Sequence, residues 1–229
     1  MDLSGKVLAV TGSDGALGRA VVAVLSAYGA RVALISRSQA PSSSSGAALP
    51  FGGVDLTLAD AARSVMERIV SKAGRLDGLI NLAGGFQLEK LAGGTLDSWN
   101  AMYKLNLMTA VNACQAALPY LVQSRGGRIV NVGAMGAVQA AAGMGPYAAS
   151  KAGVAQLTEA LAAEMKEHGV TVNAILPSTL DTPKNRLDMP QADFTRWVAP
   201  AEAAQVIAFL VSDQASAVTG ALIPVAGRV

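Results

Sequence analysis

The chain of 229 residues is poor in cysteine, histidine and charge, and each shortage excludes a class of chemistry. Cys114 has no second cysteine for an internal disulfide, and the single histidine, His168, provides no cluster with the spacing of metal ligands. Lys plus Arg total 18 against 16 for Asp plus Glu, which is too small an excess to attract nucleic acid by bulk electrostatics. We therefore expect no metal site and no nucleic-acid partner.

Long apolar runs and targeting signals are also missing. No uncharged apolar segment approaches the roughly 18 residues that a membrane span requires. The segment from Met1 to Lys6 leads into an apolar strand without a secretory signal pattern. We therefore expect a cytoplasmic protein with no membrane partner.

Apolar residues make up 52% of the chain, and they form short runs between longer amphipathic stretches. A strand covered by helices on both faces loses its polar alternation, so the short runs predict buried parallel strands. The alternation predicts one doubly wound α/β domain over residues 1–229. The predicted strands are 7–10, 32–35, 79–81, 129–132, 171–176 and 221–225, and the predicted helices are 17–28, 60–72, 98–123, 147–168 and 201–212.

Two segments interrupt this alternation. Residues 39–53 contain a run of proline and serine, which is typical of a flexible, exposed connection. Residues 177–200 carry four prolines and no clear period. A loop of that length in a compact domain is usually a lid or a binding loop, so we expect a substrate lid there.

A glycine-rich turn at residues 11–18 follows the first predicted strand and opens the first helix. Glycines let the backbone approach a pyrophosphate closely, and the free amides at the helix N-terminus favour its negative charge. The alternative is a glycine-rich turn that binds no ligand. The residues that we expect to contact a dinucleotide here are Gly12, Ser13, Asp14, Leu17 and Gly18.

The end of the second strand favours NADP(H) over NAD(H). Proteins that bind NAD usually place a carboxylate there to hold the ribose hydroxyls, but this chain has no acidic residue between Asp14 and Asp55. Arg37, flanked by Ser36 and Ser38, suits a ribose phosphate through charge-assisted hydrogen bonds. NAD(H) remains possible, because Asp14 would repel that phosphate.

Tyr147 and Lys151 lie four residues apart at the start of a predicted helix, which puts them on one face. A free tyrosine, with a pKa of about 10, is a poor acid–base catalyst at neutral pH. A nearby ammonium group and an oxidised nicotinamide would both stabilise the phenolate and lower that pKa. The pair therefore predicts proton exchange with a substrate.

With these motifs in order, the chain resembles the short-chain dehydrogenase/reductase family from residue 11 to residue 227. The resemblance implies a single Rossmann-type domain with a seven-stranded parallel sheet, assembled as a homo-oligomer, either a dimer or a tetramer. Residues 102–121 and 152–165 are rich in small apolar side chains and suit such an interface. The remaining family motifs are Asp55 and Leu56 beside adenine, Asn81, Ala83 and Gly84 after the fourth strand, and Pro177, Ser178, Leu180 and Thr182 near nicotinamide.

The resemblance also implies the roles of the catalytic residues. Tyr147 is the proton donor or acceptor, Lys151 holds the nicotinamide ribose and tunes the tyrosine, and Asn106 helps to fix a water relay. The family serine that holds a reacting carbonyl is replaced by Ala134. Either the substrate is not an ordinary ketone, or Gln139 or the 178–179 loop supplies a donor, or the protein is catalytically weak.

A narrower resemblance favours the first of these options. The chain is similar to the quinonoid dihydropteridine reductases in segments 15–18, 83–86, 176–186 and 189–194, in Trp197, and in glycine and alanine at 133 and 134. Those enzymes reduce a conjugated, imine-like system that needs no serine hydroxyl. This chain departs from the animal enzymes, which prefer NADH and carry an acidic residue where Ser36 and Arg37 stand here.

We therefore expect an NADPH-preferring oxidoreductase that transfers hydride to a small carbonyl, imine or quinoid substrate, with a quinonoid dihydropterin as one option. Asp181 and Arg186 either contact the substrate or fasten the lid. The competing interpretation is a non-catalytic NADP-binding regulatory protein, and a third is isomerisation or dehydration on the same scaffold. Candidate substrate contacts are Gly85, Phe86, Ala134, Asn185 and Trp197.

Overall fold

The computed structural model describes residues 1–39 and 48–229. The strands in these ranges are β1 (Val7–Thr11), β2 (Arg31–Ile35), β3 (Leu49–Phe51), β4 (Gly78–Asn81), β5 (Arg128–Val132), β6 (Thr171–Pro177) and β7 (Leu222–Val225). The α-helices are α1 (Ala16–Ala27), α2 (Ala59–Ala73), α3 (Leu96–Met102), α4 (Thr109–Gln123), α5 (Gly145–Met165), α6 (Pro183–Asp188) and α7 (Pro200–Val211). Between α3 and α4 the chain forms a turn of π-helix, Tyr103–Met108.

The strands form one parallel sheet in the order β3-β2-β1-β4-β5-β6-β7. The last residue of β1, Thr11, is aligned with Ile35 of β2 and with Asn81 of β4. In chain order, β2 and β3 extend the sheet on one side of β1, and β4 to β7 then extend it on the other side. A crevice opens at the carboxyl ends of the strands where the order reverses, and this is where open α/β sheets bind their ligands.

The side chains of β1 alternate between two apolar cores, one on each face of the sheet. Val7 and Ala9 pack in a core with residues of α2, α4 and α5, whereas Leu8 and Val10 pack with residues of α1 and α7. Each large aliphatic side chain that is fully buried stabilises the fold by about 1.5–3 kcal/mol. Because helices cover both faces, the central strands carry no polar alternation, and the predicted doubly wound α/β fold is confirmed.

The prediction of an exposed loop over 39–53 is wrong at its C-terminal end, which forms β3. Leu49 and Phe51 are buried, while Pro50 between them is exposed. A strand of three residues with a central proline is too short for a hydrophobic pattern to reveal. The proline is tolerated because β3 lies at the edge of the sheet. The proline–serine run at 40–47 lies outside the described residues.

Two further segments differ from their predicted form. The expected helix over 98–123 begins earlier and is divided into α3, the π turn and α4. The predicted lid at 177–200 contains α6, which begins with Pro183 and is capped by the Thr182 hydroxyl, an acceptor for the Asn185 amide at 3.2 Å. A single helical turn flanked by prolines has no apolar period, which is why the sequence pattern missed it.

None of the helices in the described ranges combines the length and apolarity that crossing a bilayer demands. Those ranges also contain no group of three or more His, Cys, Asp or Glu side chains placed to hold a metal ion.

Candidate active site

A cleft of about 290 Å³ lies at the carboxyl ends of β1, β2 and β4. Nine of the nineteen predicted dinucleotide contacts line it, together with residues that the sequence did not single out, whereas Tyr147, Lys151 and the lid residues lie outside this lining. Its lining comprises Gly12, Asp14, Gly15, Ile35, Ser36, Arg37, Ser38, Val54, Asp55, Leu56, Thr57, Leu82, Ala83, Gly84, Leu105 and Thr109. A groove of about 440 Å³ beside β3 and α2 contains none of the predicted site residues, so we place the candidate site in the cleft.

The glycine-rich turn approaches the neighbouring loop too closely for side chains. Gly12 has a φ of +63°, and a Cβ atom there would stand 2.9 Å from the backbone nitrogen of Ala83. A Cβ atom on Gly18 would stand 2.7 Å from the carbonyl oxygen of Ser13. The Ser13 hydroxyl donates to the carbonyl of Ile35 at 3.3 Å and ties the turn to β2. Gly12, Asp14 and Gly15 line the cleft directly before α1, so the N-terminal end of this helix, which favours anions, lies at the cleft.

Thr11, the first residue of the predicted turn, positions the opposite wall of the cleft, although it was not among the predicted cofactor contacts. Its buried hydroxyl accepts hydrogen bonds from the backbone nitrogens of Leu82 at 3.0 Å and Ala83 at 3.1 Å. The amides that follow β4 are thereby fixed to the end of β1.

Arg37 and Asp55 bring opposite charges to the same end of the cleft. The Asp55 carboxylate accepts from the Thr57 hydroxyl at 2.7 Å and the Thr57 backbone nitrogen at 2.9 Å. These hydrogen bonds, and to a smaller extent the charge of Arg37, lower the pKa of Asp55. Ser36 is buried and its hydroxyl donates to the carbonyl of Ser38 at 3.2 Å, so Arg37 and Ser38 are the exposed polar residues of this run.

Lys151 is a buried ammonium group at the floor of the site. Its Nζ donates to the carbonyl of Val132 at 2.7 Å, and burial lowers its pKa to about 8. This is the sole acceptor that the described residues place at Nζ, although an ammonium group has three donors. The remaining donors fit a ribose hydroxyl pair, which is the role that the family resemblance implies.

Burial raises the pKa of the Tyr147 phenol to about 12. The expected lowering of this pKa is thus not a property of the protein alone, because burial penalises the phenolate more than the neighbouring groups favour it. The ring of Phe86 packs edge-on against the Tyr147 ring, with centroids 4.9 Å apart and planes at 73°. At neutral pH the hydroxyl is protonated, which suits a proton donor.

Asn106 connects the catalytic helix to the loop that follows β4. Its Oδ1 accepts from the backbone nitrogen of Gly85 at 2.8 Å, and its Nδ2 donates to the carbonyl of Gly85 at 3.1 Å. The same Nδ2 donates to the Ser150 hydroxyl at 2.9 Å, and that hydroxyl donates to the carbonyl of Tyr147 at 2.7 Å. The π turn orients Asn106 into this network, as such turns often do at functional sites. Ser150 is a second residue that the sequence analysis missed, although it precedes Lys151 directly.

Asn81 differs from the other predicted contacts, because its side chain faces away from the cleft. Its Nδ2 donates to Oδ1 of Asn131 at 2.8 Å and to Sγ of Cys114 at 3.2 Å, so it joins β4 to β5 and α4. Burial raises the pKa of the Cys114 thiol to about 12, which leaves it unreactive.

The lid carries most of the remaining predicted contacts, and several of their polar atoms are already engaged. The Ser178 hydroxyl donates to the carbonyl of Ala226 at 2.7 Å. Nδ2 of Asn185 donates to the carbonyl of Leu180 at 2.8 Å. Leu180 itself forms a parallel bridge with Val198, which closes the base of the lid. These side chains hold the lid in shape, and Pro177 lies at the end of β6 where the lid begins.

Charged and aromatic residues of the lid pack against one another. Arg186 forms an ion pair with Asp181, with donor–acceptor distances of 2.6 and 2.8 Å. Its guanidinium lies 4.7 Å from the ring centroid of Phe194, which in turn lies 4.8 Å from that of Trp197. Asp181 and Arg186 thus pair with each other inside the lid, and Trp197 belongs to the same cluster. Whether Asp181 and Arg186 also contact a substrate stays a prediction.

Ala134 offers no hydrogen-bond donor at the family's serine position. Its side chain is buried and ends at Cβ. Of the expected replacements, the Ser178 hydroxyl is committed to Ala226, and Gln139 is exposed. Tyr147, whose ring packs against Phe86, stays the predicted proton donor, and a donor from Thr179 of the same loop stays a prediction as well.

The comparisons with known proteins agree with this geometry. Residues 6–192 match the sequence model of the short chain dehydrogenases. The 3-oxoacyl-[acyl-carrier-protein] reductase FabG of Thermotoga maritima is 35% identical over 242 residues, which cover 99% of this chain and 98% of the relative. The FabG protein of Escherichia coli is 30% identical over 239 residues, with 99% and 98% covered.

Two solved structures share the fold. The ligand-free aldohexose dehydrogenase of Thermoplasma acidophilum has a TM-score of 0.90 at 26% identity, covering 98% of this chain and 94% of that one. A short-chain type dehydrogenase/reductase from Mycobacterium ulcerans has a TM-score of 0.92 at 25% identity, covering 100% and 90%.

The chain belongs to the short-chain dehydrogenase family, as the sequence resemblance predicted. It is an oxidoreductase of the kind that works with a nicotinamide cofactor. The narrower similarity to quinonoid dihydropteridine reductases gains no support from these relatives, which are named as reductases of a 3-oxoacyl group.

Proposed function

We propose that the protein is an NADPH-preferring reductase that transfers hydride to a planar, conjugated carbonyl, imine or quinoid substrate. A quinonoid dihydropterin is one member of this class. The observation that carries the proposal is the buried methyl group of Ala134 beside an otherwise complete set of Tyr147, Lys151 and Asn106.

The residues of the cleft fit a nicotinamide dinucleotide. Gly12 and Gly84 line the cleft, and neither can carry a side chain without overlap, because Cβ atoms there would stand 2.9 Å from the nitrogen of Ala83 and 2.6 Å from Oδ1 of Asn106. Arg37 would hold the phosphate on the adenosine ribose, and Lys151 would hold the nicotinamide ribose. The reduced cofactor, when bound, supplies a hydride, which carries two electrons to the substrate.

Tyr147 completes the reduction by donating its hydroxyl proton to the substrate atom on which negative charge develops. The substrate thereby gains one hydride and one proton, and the tyrosine regains its proton from solvent. Lys151 stabilises the transient phenolate when it is protonated, because an ammonium group in a buried site interacts strongly with a neighbouring anion. Phe86 covers the Tyr147 ring and offers a flat apolar surface to a conjugated substrate.

The missing hydroxyl at Ala134 affects two substrate classes, isolated ketones and conjugated rings, differently. In the reduction of an isolated ketone the charge gathers on one oxygen, and removing one donor to such an oxygen typically costs 10²–10³ in kcat. A conjugated ring spreads that charge over several atoms, so one donor from Tyr147 suffices. The site therefore favours substrates that delocalise charge.

A second candidate is the reduction of a 3-oxoacyl thioester, and the names of the curated relatives favour it. A third, a non-catalytic NADP-binding regulator, is weakened by the network that links Asn106, Ser150 and Tyr147, because cofactor sensing has no need of it. The cytoplasmic location and the homodimer or homotetramer remain predictions.

A turnover panel tests the proposal. We would follow NADPH and NADH oxidation with a quinonoid dihydropterin, a quinone, a simple ketone and a 3-oxoacyl thioester, using the wild-type protein and the Ala134→Ser variant. We expect wild-type turnover with the conjugated compounds, and an increase in ketone reduction of about 10-fold or more in Ala134→Ser. Preferred turnover of the thioester by the wild type would establish the second candidate. NADPH binding without turnover of any compound would establish the regulator.

A further inference from the structure

Large apolar side chains lie exposed beside the catalytic tyrosine, on the loop that follows β4. Phe86 is 52% exposed although its ring packs 4.9 Å from that of Tyr147, and Leu88 is 64% exposed. Single exposed apolar residues are common on protein surfaces, but a contiguous set that begins at a reactive group marks a ligand surface.

Leu88 continues the surface that Phe86 begins. A Cβ atom on Gly143 would stand 3.1 Å from Cδ1 of Leu88, and the backbone nitrogen of Glu89 donates to the carbonyl of Gly143 at 2.8 Å. Gly143 precedes Tyr147 by four residues, so Phe86 and Leu88 both lie against segment 143–147. Residues two apart in an extended chain are separated by about 7 Å. The two side chains therefore form an apolar track that leads away from the Tyr147 ring.

No free carboxylate competes on this loop for the same surface. The Glu89 carboxylate accepts from the backbone nitrogen of Thr95 at 2.6 Å and from the Ser98 hydroxyl at 2.8 Å, so it is turned into its own loop. The track is apolar from Tyr147 outward, and water covers about half of it.

We propose that the substrate carries an apolar tail, such as a linear alkyl chain, on its reducible ring, and that the apolar track binds this tail. The proposal rests on the proposed reduction of a conjugated ring and adds the class of amphiphilic substrates to it. A methylene group that leaves water completely strengthens binding about four-fold. A track that covers the tail on one side should give about two-fold per methylene.

The test uses 1,4-benzoquinones with alkyl substituents from methyl to decyl, NADPH as reductant, and a protein-free blank. We expect kcat/KM to rise about two-fold per methylene, through KM rather than kcat, until the tail extends past Leu88. In Leu88→Ser the ratio of kcat/KM between the decyl and methyl compounds should fall at least five-fold. Leu58→Ser is the matched control, because Leu58 is 59% exposed and follows β3, with three strands of the sheet between it and β5.

Calorimetric dissociation constants for the corresponding alkyl hydroquinones measure tail binding without turnover. If the methyl compound is reduced but neither KM nor Kd depends on tail length, the tail proposal is overturned and the reductase stands. If none of the quinones is reduced while Kd still falls with tail length in a Leu88-dependent way, the proposed function fails and the apolar site stands. Sedimentation velocity of Leu88→Ser and of the wild type measures the oligomeric state. If the variant dissociates while kcat/KM still depends on tail length, the apolar track binds a second copy of the chain and the tail proposal is overturned.

Discussion

Gly84 is the position where a single methyl group should disturb the hydrogen bonds of Asn106 most directly. A Cβ atom there would stand 2.6 Å from Oδ1 of Asn106 and 3.5 Å from Nζ of Lys151. Ordinary van der Waals contact begins near 3.4 Å, so in Gly84→Ala the Asn106 oxygen must move by about 0.8 Å. That oxygen is held by the Gly85 amide at 2.8 Å, and the movement breaks the hydrogen bond.

The size of the effect follows from the buried groups that lose their partners. Leaving a buried donor or acceptor unpaired costs about 1–3 kcal/mol. Because Asn106 is joined through Ser150 to the carbonyl of Tyr147, the displacement reaches the proton donor. We expect kcat to fall about 10–100-fold in Gly84→Ala, with a loss of about 1–3 kcal/mol in the free energy of unfolding.

Gly153→Ala is the matched control for this variant. A Cβ atom at position 153 would stand 2.7 Å from Cδ2 of Leu107, which is close to the 2.6 Å of the Gly84 variant. The atom that it meets is the end of a flexible apolar side chain. Leu107 can rotate away, and alanine favours the helix, so kcat should stay within about two-fold. The assay is steady-state NADPH oxidation with urea unfolding of both variants. Equal kcat values for the two variants would refute the role given to Asn106.

Three other perturbations test separate parts of the site. Arg37→Ala should raise KM for NADPH about 10–100-fold relative to KM for NADH, because a charge-assisted hydrogen bond to the ribose phosphate is lost; an unchanged ratio would place that phosphate elsewhere. Ser150→Ala should lower kcat about 5–20-fold with little change in KM for NADPH, since the Asn106 amide loses its oxygen acceptor on the catalytic helix, at 2.9 Å, and keeps the carbonyl of Gly85; equal kinetics would show that the network does not position Tyr147. The lowered pKa of Lys151, about 8, means that the buried amine is charged below this pH and neutral above it. The value of kcat/KM for NADPH should therefore fall as the pH rises through about 8, and a flat profile from pH 7 to 10 would contradict this assignment.

The same pKa shift has a consequence for stability. The folded-state pKa of Lys151, about 8, lies below its ordinary value of 10.5, so the unfolded chain binds more protons between these two values. The contribution of Lys151 to stability therefore rises with pH across that window and is constant below it.

Much of the fold was predictable because its strands are buried on both faces. β1, β2, β4, β5 and β6 appear in the sequence as apolar runs, since their side chains face helices on either side. β7 is a partly buried edge strand, but its composition is also apolar. β3 gave no such signal, because it has three residues with an exposed proline in the middle. The π turn at Tyr103–Met108 was also missed, since one extra backbone residue leaves the helical hydrophobic pattern almost unchanged.

At the site, the residues whose backbone shapes the cleft were easier to predict than the contacts of polar side chains. Gly12, Arg37 and Gly84 line the cleft, as their motifs indicated. Asn81 and Asn185 belong to the same motifs, yet their amide groups bind Asn131 and the carbonyl of Leu180. The sequence fixes which donors exist, but tertiary packing decides which acceptors satisfy them. The cofactor and substrate roles of these residues remain predictions.

Tyr147→Phe tests the central claim most directly. The substitution removes only the hydroxyl, so Phe86 retains an aromatic ring to pack against and the Asn106–Ser150 contacts are left in place. We would measure the single-turnover rate of NADPH oxidation by stopped flow with a quinonoid dihydropterin and a quinone, and NADPH affinity by fluorescence. The account predicts a loss of at least about 100-fold in rate with NADPH affinity unchanged within about two-fold. Equal rates in the variant and the wild type would contradict it.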